Sequence, residues 1–471
     1  MLPVRFVPLV AALAAVFTPL ARAQSTVPAE AAAASTEAEA ALQRIFAEAL
    51  ARGQAYAHLR ELVGRHPGRL SGSSALAAAI DWAEGTLRRV GVDTLERQEV
   101  MVPHWERGAP ERARLLQGDT AEPLALVALG GSVATPAAGL TAEVLEVKSI
   151  AELAALGRGA VEGRIVFFNR PMDPAVVRGT EAYRLAVDQR SRGPAAAAAL
   201  GAVAAVVRSM THALDDHPHT GGTSFPAGSA RIPAAALSTI AAERLGAALR
   251  AGPARLELKI QARWLPDAQS HNLIAEIRGR EHPDEIILVG GHLDSWDIAP
   301  GAHDNGSGVV QSIEVLRLYR ALGLQPRRTL RCVLFTNEEN GLRGSTAYVN
   351  RVRERKERHL LAIETDNGGF QPRGFNLGST QGDAHERAAT RWRALFEPYG
   401  IHVFMKGTAG ADIGPLLVQG ITVAGLLPDS QRYFDYHHTT QDSLDKVNPR
   451  ELHLGAGALA ALVWLADNQG L

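Results

Sequence analysis

The stretch at residues 285–294, Glu-Ile-Ile-Leu-Val-Gly-Gly-His-Leu-Asp, decides the fold of this chain. Its first half is a nearly continuous apolar run, which is typical of a strand buried on both faces of a sheet. Its second half places a histidine and an aspartate directly after that run. Similar apolar runs occupy residues 330–335, 360–363 and 421–426. The sequence therefore predicts an α/β fold around a central sheet.

Segments with helical spacing of apolar residues alternate with these runs. They lie at residues 309–322, 345–352, 384–396, 413–418 and 450–466. Earlier in the chain, helical spacing recurs at residues 38–62 and 74–90, and a strand is predicted at 92–103. We therefore predict an open mixed sheet with helices on both faces.

Length and composition limit the class of protein. A chain of 471 residues is too long for one ordinary core, so we expect two domains or a large domain with an insertion. The formal net charge is −1 and there is no long basic stripe, which argues against a nucleic-acid partner. The single Cys332 cannot form an internal disulfide, and its apolar neighbours predict a buried, inert thiol.

The N-terminus has the features of a secretory signal peptide. Arg5 supplies the positive start, residues 6–20 are almost wholly apolar, and Ala21-Arg22-Ala23 fits the small-x-small cleavage rule. We predict a signal peptide at residues 1–23 and a mobile leader at 24–37. The mature protein is expected to be exported, either to the periplasm or out of the cell. No further stretch is long enough to predict a membrane segment.

Residues 123–265 differ from the rest of the chain because they are rich in Ala and Gly and contain few acidic or metal-binding clusters. We predict that they form an inserted domain, which divides the main domain into residues 38–122 and a catalytic part at 266–471. Strands are predicted in the insertion at 163–168 and 202–207, with a helix at 193–200.

The insertion also contains histidines, and these lie in a segment rich in Gly, Thr, Asp and Pro. We interpret the segment as an exposed loop rather than a second metal site, because little carboxylate spacing accompanies the rings. The histidines are His212, His217 and His219.

Acidic and histidine residues cluster in five short segments of the catalytic part, four of them after an apolar run. In open α/β sheets, ligands bind outside the carboxyl ends of the strands, so these segments are expected to converge. A hydrolytic two-metal centre needs His nitrogens, carboxylate oxygens, a carboxylate between the metals and a further carboxylate as base. The candidate residues are His292, Asp294, Asp304, Glu338, Glu339, Asp366 and His438.

The spacing of these residues suggests separate tasks. His292 and Asp294 are two positions apart and point the same way in an extended chain, so Asp294 can set the tautomer of the imidazole. Asp304 lies in a glycine-rich loop, where the backbone can turn and place its carboxylate between two ions. Glu338 and Glu339 diverge, so that one can bind metal while the other faces the attacking water.

These motifs resemble those of the co-catalytic zinc aminopeptidases and glutamate carboxypeptidases. The likeness extends over nearly the whole mature chain and is greatest to the carboxypeptidase Q branch, whose members form homodimers. The matching stretches are residues 68–73, 102–108, 291–297 and 433–442. The resemblance implies a zinc exopeptidase fold, and it implies that the inserted region is a protease-associated domain.

The resemblance also implies a ligand set for two zinc ions. One ion would be held by His292 and Asp366, and the other by Glu339 and His438, with Asp304 bridging them. Glu338 would be the general base and Asp294 would orient His292. The peptide bond from Asp304 to Asn305 is expected to be cis.

Two positions stay open at this stage. Many family members have Tyr immediately before the second metal-binding His, as a donor to the oxyanion, and here His437 stands there. We consider an oxyanion donor and a structural role equally for His437. The loop at residues 408–412 either faces the substrate or forms a turn, with Asp412 capping the helix that follows.

The function that follows is an exported di-zinc exopeptidase acting on short peptides, above all dipeptides. A broad aminopeptidase on the same site is the main alternative, and the sequence does not decide between them. Two further alternatives are a glutaminyl cyclase, which would use one zinc ion, and a non-catalytic binding protein. The complete ligand set argues against both. A homodimer is an expectation from the resemblance alone.

Overall fold

The computed structural model describes the backbone of residues 29–471 and the side chains from residue 36 onward. The predicted signal peptide and the start of the predicted leader lie outside the described residues. The helices are α1 (Ala29–Arg52), α2 (Ala55–Arg65), α3 (Ser74–Val90), α4 (Ile150–Val161), α5 (Gly179–Ala186), α6 (Asp188–Ser191), α7 (Gly193–Ala199), α8 (Thr239–Ala251), α9 (Ser307–Ala321), α10 (Arg343–Arg355), α11 (Ala384–Phe396), α12 (Tyr433–Tyr436) and α13 (Pro449–Gln469).

The strands form two separate sheets. They are β1 (Thr94–Glu106), β2 (Arg112–Gln117), β3 (Thr120–Leu124), β4 (Leu126–Ala128), β5 (Leu140–Val147), β6 (Ile165–Phe168), β7 (Ala204–Arg208), β8 (Ala234–Leu237), β9 (Arg255–Lys259), β10 (Arg263–Ile277), β11 (His282–His292), β12 (Arg328–Phe335), β13 (Arg358–Glu364), β14 (Pro372–Gly378), β15 (Val403–Lys406) and β16 (Thr422–Pro428). A π-helical turn occupies Ala302–Gly306, and 3₁₀ turns occupy Glu397–Tyr399, Gly414–Gln419 and Leu444–Lys446.

The first sheet confirms the predicted open mixed α/β sheet. Its strand order is β1-β10-β12-β11-β13-β16-β14-β15, and the four predicted apolar runs form the parallel centre β12-β11-β13-β16. Alternate residues of β11 enter different cores, as the two-residue period of a strand requires. Ile287 packs with α9 and α13, whereas Ile286 packs with α10 on the other face. Cys332 lies in this centre as a buried free thiol.

The second sheet is built from β2 to β9 and lies, in sequence, between β1 and β10 of the first sheet. Its order is β3-β2-β9-β5-β6-β7-β8-β4. The predicted start of the insertion at residue 123 is too late, because the β2–β3 hairpin already belongs to this sheet. Leu115 of β2 pairs with Leu256 of β9, and both are buried. The alternation of charged and apolar residues in β2 matches its burial, with Ala113 and Leu115 buried and Arg112 and Arg114 exposed.

Two other local predictions need correction. Residues 29–37 of the predicted leader are helical, because α1 starts at Ala29, in a stretch rich in the helix-forming residues Ala and Glu. Ile45 and Phe46 of this helix belong to the main core. The predicted helix at 413–418 is instead a 3₁₀ turn.

The parallel strands end at one edge of the first sheet. His292, the last residue of β11, lies opposite Phe335, the last residue of β12. Glu364, the last residue of β13, lies opposite Gly290 of β11. The segments that follow these strands therefore start side by side, which places the predicted site residues together. Over the part of the chain that the structure describes, every helix is too short or too polar to cross a bilayer.

Candidate metal centre

His292 is fully buried at the end of β11, and its ring faces two carboxylates. Its Nε2 lies 3.3 Å from Asp304 Oδ1 and 3.3 Å from Asp366 Oδ1. Its Nδ1 lies 3.0 Å from the backbone oxygen of Asp294. A hydrogen on Nδ1 can be donated to that carbonyl, which leaves the Nε2 lone pair for a metal ion between the carboxylates.

His438 occupies the mirror position on the other side of Asp304. Its Nε2 lies 3.1 Å from Asp304 Oδ2 and 3.1 Å from Glu339 Oε2. Its Nδ1 lies 3.2 Å from the backbone oxygen of Thr220, which belongs to the second sheet unit. The two oxygens of Asp304 thus face two different histidines, as a carboxylate that bridges two ions must.

The backbone around Asp304 is held by a second aspartate. The π-helical turn Ala302–Gly306 contains a cis peptide bond between Asp304 and Asn305, as the resemblance implied. The carboxylate of Asp442 accepts the backbone N–H of His303 at 2.6 Å and that of Asp304 at 3.0 Å. Burial, followed by the charge of Asp304, raises the pKa of Asp442 to about 7 although its two hydrogen bonds oppose the shift.

The carboxylate of Asp294, predicted to orient His292, lies near that ring but makes its hydrogen bonds to the backbone. The carboxylate oxygen Oδ1 lies 3.7 Å from His292 Nδ1, farther than the backbone oxygen. The carboxylate instead accepts the backbone N–H of Glu338 at 3.1 Å and that of Glu339 at 3.2 Å. Asp294 therefore connects the end of β11 to the loop after β12, and it fixes the start of the glutamate pair.

The glutamate pair follows a residue in the left-handed backbone region, Asn337, with φ 66°. The Asn337 side chain donates to Ser71 Oγ at 3.0 Å and accepts the backbone N–H of Arg343 at 3.1 Å, which holds the loop. Glu338 lines the cleft together with Asp304, Asp366 and His438. Burial holds the pKa of Glu338 well above its ordinary range; His292 opposes this shift and the charge of Asp366 adds to it.

His437 lies against His438, with the ring centroids 3.5 Å apart and the planes nearly parallel. Its Nε2 is 3.5 Å from Asp304 Oδ2. Tyr183 and Phe434 pack on the same ring. Burial, and then the neighbouring His438, lowers the pKa of His437 well below its ordinary value.

The arrangement fits two metal ions. His292, Asp304 and Asp366 each offer a ligand atom, and all these atoms lie within 4.8 Å of one another. Asp304, His437 and His438 form a second such group. Glu339 Oε2 already contacts His438, while its Oε1 is buried with no hydrogen-bond partner among the described residues. Imidazole nitrogens and carboxylate oxygens are the donors that zinc takes in catalytic sites.

The second sheet unit closes the cleft over these residues. The cleft has a volume of about 390 Å³ and is lined by Asp304, Glu338 and Asp366 on one side, and by Tyr183 and Arg190 on the other. The sequence did not predict that the inserted segment lines the cleft, because an Ala-rich composition does not indicate a metal site. The interpretation of its histidines as an exposed loop is wrong for His219, which is buried beside the site.

The cap interpretation of Asp412 is also wrong. The Asp412 side chain is fully buried, and both carboxylate oxygens lack a hydrogen-bond partner among the described residues. Its neighbour Glu364 accepts the backbone N–H of Ile413 at 3.0 Å in its place. Burial, followed by the charge of Glu364, raises the pKa of Asp412 well above its ordinary value.

Comparisons with known proteins agree with this geometry. Residues 272–463 match the family model described as Peptidase family M28. Carboxypeptidase Q from Bos taurus is 36% identical over 416 residues, covering 88% of this chain and 85% of the relative. The chain belongs to peptidase family M28. Carboxypeptidase Q from Homo sapiens is 34% identical over the same shares of both proteins. The predicted family and the predicted enzyme class, a zinc-dependent metallopeptidase, are thereby confirmed.

Solved structures extend the similarity of this M28 peptidase to the whole fold. The crystal structure of a peptidase M28 precursor from Shewanella amazonensis SB2B has a TM-score of 0.88 and 33% sequence identity. It covers 93% of this chain and 98% of its own. An aminopeptidase from Aneurinibacillus sp. strain AM-1 shares the fold, with a TM-score of 0.62 at 21% identity over 90% of this chain and 96% of its own.

Proposed function

We propose that this M28 peptidase is an exported di-zinc exopeptidase that hydrolyses short peptides, dipeptides in particular. The observation that carries the proposal is the position of Asp304, whose two oxygens face His292 and His438 at 3.3 and 3.1 Å. A carboxylate that faces a histidine on each side suits a site for two ions, whereas a site for one ion does not require this arrangement. It therefore favours the two-metal peptidase over the cyclase, and the complete ligand set favours an enzyme over a binding protein.

Each ion would have its own ligands besides Asp304. His292 and Asp366 would hold the first, and Glu339 and His438 would hold the second. When bound, the two ions would lower the pKa of a water between them and polarise the scissile carbonyl. The Asp294 carboxylate keeps Glu339 in place through the backbone, so a single aspartate supports both halves of the site.

Glu338 is the proposed general base. It would take a proton from the attacking water and deliver it to the leaving amine. Its backbone is anchored to Asp294, and the residue lines the cleft. A base held in this way needs little reorganisation during the reaction.

His437 is proposed to donate a hydrogen bond to the developing oxyanion. Its Nε2 lies 3.5 Å from Asp304 Oδ2, and the residue lines the cleft. The aromatic residues around it, including Tyr183 and Phe434, restrict the orientation of the ring. A preorganised donor of this kind contributes most in a site from which water is excluded.

Relatives named carboxypeptidase Q support cleavage beside a free C-terminus. The relatives named aminopeptidase leave cleavage beside a free N-terminus as the alternative, and a dipeptidase satisfies both descriptions. Export rests on the signal-like start of the sequence, and the protease-associated character of the second sheet unit and a homodimer rest on the resemblance.

The deciding experiment is a cleavage assay on matched peptides combined with a metal count. One dipeptide has free ends, one has a blocked N-terminus and one has a blocked C-terminus, each tested with a chelator and after zinc is restored. Chelator-sensitive cleavage of the free dipeptide alone, at two zinc ions per chain, is the expected result. Cleavage that survives only a blocked C-terminus would identify an aminopeptidase, and no cleavage would refute the peptidase proposal.

A further inference from the structure

A large cavity adjoins the metal cleft and shares residues with it. Its volume is about 550 Å³, within the range of cavities that enclose a small molecule. Glu338, Glu339, Gly222 and Leu342 line both the cavity and the cleft, so the two spaces meet at these residues. No step of the hydrolysis proposed above uses the space beyond the glutamates.

The lining of this cavity comes from two parts of the chain. The five consecutive residues 338–342, which follow β12, line it on the side of the first sheet. The second sheet unit contributes residues 222–225, with Gly130 and Gly131 beside them. The backbones of this unit pair closely there, because the Thr223 N–H donates to the Gly130 carbonyl at 2.8 Å. The loop that carries the proposed base therefore also bounds the cavity.

Exposed apolar side chains border the cavity. Trp264, near the start of β10, is 39% exposed, and Leu342 is 37% exposed. Phe225, which is partly buried, lines the cavity with them. Large apolar side chains that stay exposed beside a polar cleft are typical of a ligand-binding surface.

Leu342 is held in an unusual backbone conformation. Its φ of 57° lies in the left-handed region, which a bulky residue rarely adopts. Its N–H donates to the Asn337 carbonyl at 2.6 Å, which fixes the turn. Residues kept in such conformations are concentrated at functional sites. The backbone thus keeps an apolar side chain at the junction between the cavity and the metal cleft.

Charged groups of both signs line the cavity. The Arg231 guanidinium lies over Trp264, with Cζ 4.8 Å from the ring centroid, and would repel the cation of a lysine or arginine side chain. Glu338 would repel a carboxylate. A neutral apolar side chain avoids both repulsions, and an aromatic ring can also pack against the indole.

We propose that this cavity binds a large apolar side chain, above all an aromatic one, of the residue that follows the scissile bond. The position of the proposed base decides the side. Glu338 must lie within hydrogen-bond reach of the leaving amine to deliver the proton, so that amine stands beside Glu338. The side chain of the leaving residue branches from the carbon bonded to this amine. It is therefore the side chain that enters the cavity lined by Glu338.

This inference rests on the proposed function and adds a side-chain preference to it. The preferred substrates are short peptides that release a residue with a neutral aromatic or large aliphatic side chain. Trp264, Phe225 and Leu342 are then the residues that determine this specificity.

The test compares hydrolysis of the dipeptides Ala-Phe and Ala-Ala by the zinc-loaded enzyme. The wild-type kcat/KM is expected to be higher for Ala-Phe by roughly 10- to 200-fold, the discrimination that an apolar pocket gives. Trp264→Ala should lower this ratio by about tenfold, because aromatic contact and buried apolar area are lost. Trp264→Phe should restore most of it.

A pair of leucine variants provides a matched control. Leu342→Ala should lower the ratio of Ala-Phe to Ala-Ala by about fivefold through the loss of apolar area. Leu156→Ala, at a leucine of α4 that is 43% exposed, should keep the wild-type ratio.

Reversing the charge at Arg231 should change which side chains are accepted. In Arg231→Glu, kcat/KM for Ala-Lys relative to Ala-Phe should rise by roughly two- to fivefold, as expected for an exposed charge pair. A purely structural role of Arg231 would not raise the relative turnover of a cationic side chain.

Three outcomes would overturn the inference. An equal loss on Ala-Phe and Ala-Ala in Trp264→Ala would mean that the indole only supports the cleft. An unchanged ratio would mean that the phenyl ring binds elsewhere. Phe-Ala carries the ring before the scissile bond, and dependence of Phe-Ala rather than Ala-Phe on Trp264 would refute the assigned side.

Calorimetric binding of Ala-Phe and Ala-Ala to the zinc-loaded Glu338→Gln variant, with and without Trp264→Ala, provides a readout without turnover. Stronger binding of Ala-Phe that depends on Trp264, with no hydrolysis by the wild type, would refute the proposed function and leave the role of the cavity intact. Hydrolysis of both dipeptides with equal kcat/KM would refute the role of the cavity alone.

Discussion

Thr220 and His438 exchange two hydrogen bonds across the boundary between the two sheet units. The Thr220 N–H donates to the His438 carbonyl at 3.0 Å, and His438 Nδ1 lies 3.2 Å from the Thr220 carbonyl. His438 has a φ of 61°, a left-handed conformation that a non-glycine residue rarely adopts without support. The second sheet unit thus helps to hold a proposed metal ligand of the first in position.

Replacing the proposed base should separate chemistry from metal binding. Glu338→Gln keeps the shape of the side chain and the backbone bond to Asp294, but it removes the proton acceptor. We expect kcat to fall by roughly 10²- to 10⁴-fold while two zinc ions remain bound. Steady-state kinetics and elemental analysis of the same sample check this, and unchanged turnover would refute the assignment.

Asp294 should be needed to hold Glu338 and Glu339 in position, although it is not one of the proposed metal ligands. Asp294→Ala leaves the partly buried backbone N–H groups of Glu338 and Glu339 without this acceptor. Metal affinity or activity should fall by about 10- to 100-fold, as is usual for groups that support metal ligands. Asp294→Asn keeps one acceptor and should lose less. Titration with a competing chelator measures the effect, and equal losses in the two variants would contradict it.

Cys332 should be unreactive in the folded protein. It is fully buried in β12, and burial raises the pKa of its thiol far above the ordinary value, so almost no thiolate is present at neutral pH. A thiol reagent should label less than a tenth of the protein in buffer over the time that labels all of it in denaturant. Rapid labelling under native conditions would contradict the buried position.

Several features of the site could be predicted because each depends on a short stretch of chain. An apolar run predicts a buried strand, and residues placed just after it must emerge at the carboxyl edge of the sheet. That reasoning placed His292, Glu339 and Asp366 at the same edge. The role of the Asp294 carboxylate could not be predicted, since its partners are backbone N–H groups 44 and 45 positions away.

By itself, then, the sequence determined the central sheet, the order of the proposed ligands along it and the family. Only the tertiary structure decided which residues form the opposite wall of the cleft. Arg190 and His438 are 248 positions apart, and Thr220 and His438 are 218 apart. Contacts over such separations depend on how the two sheets pack together. The periodicity and composition of either segment therefore do not predict these contacts.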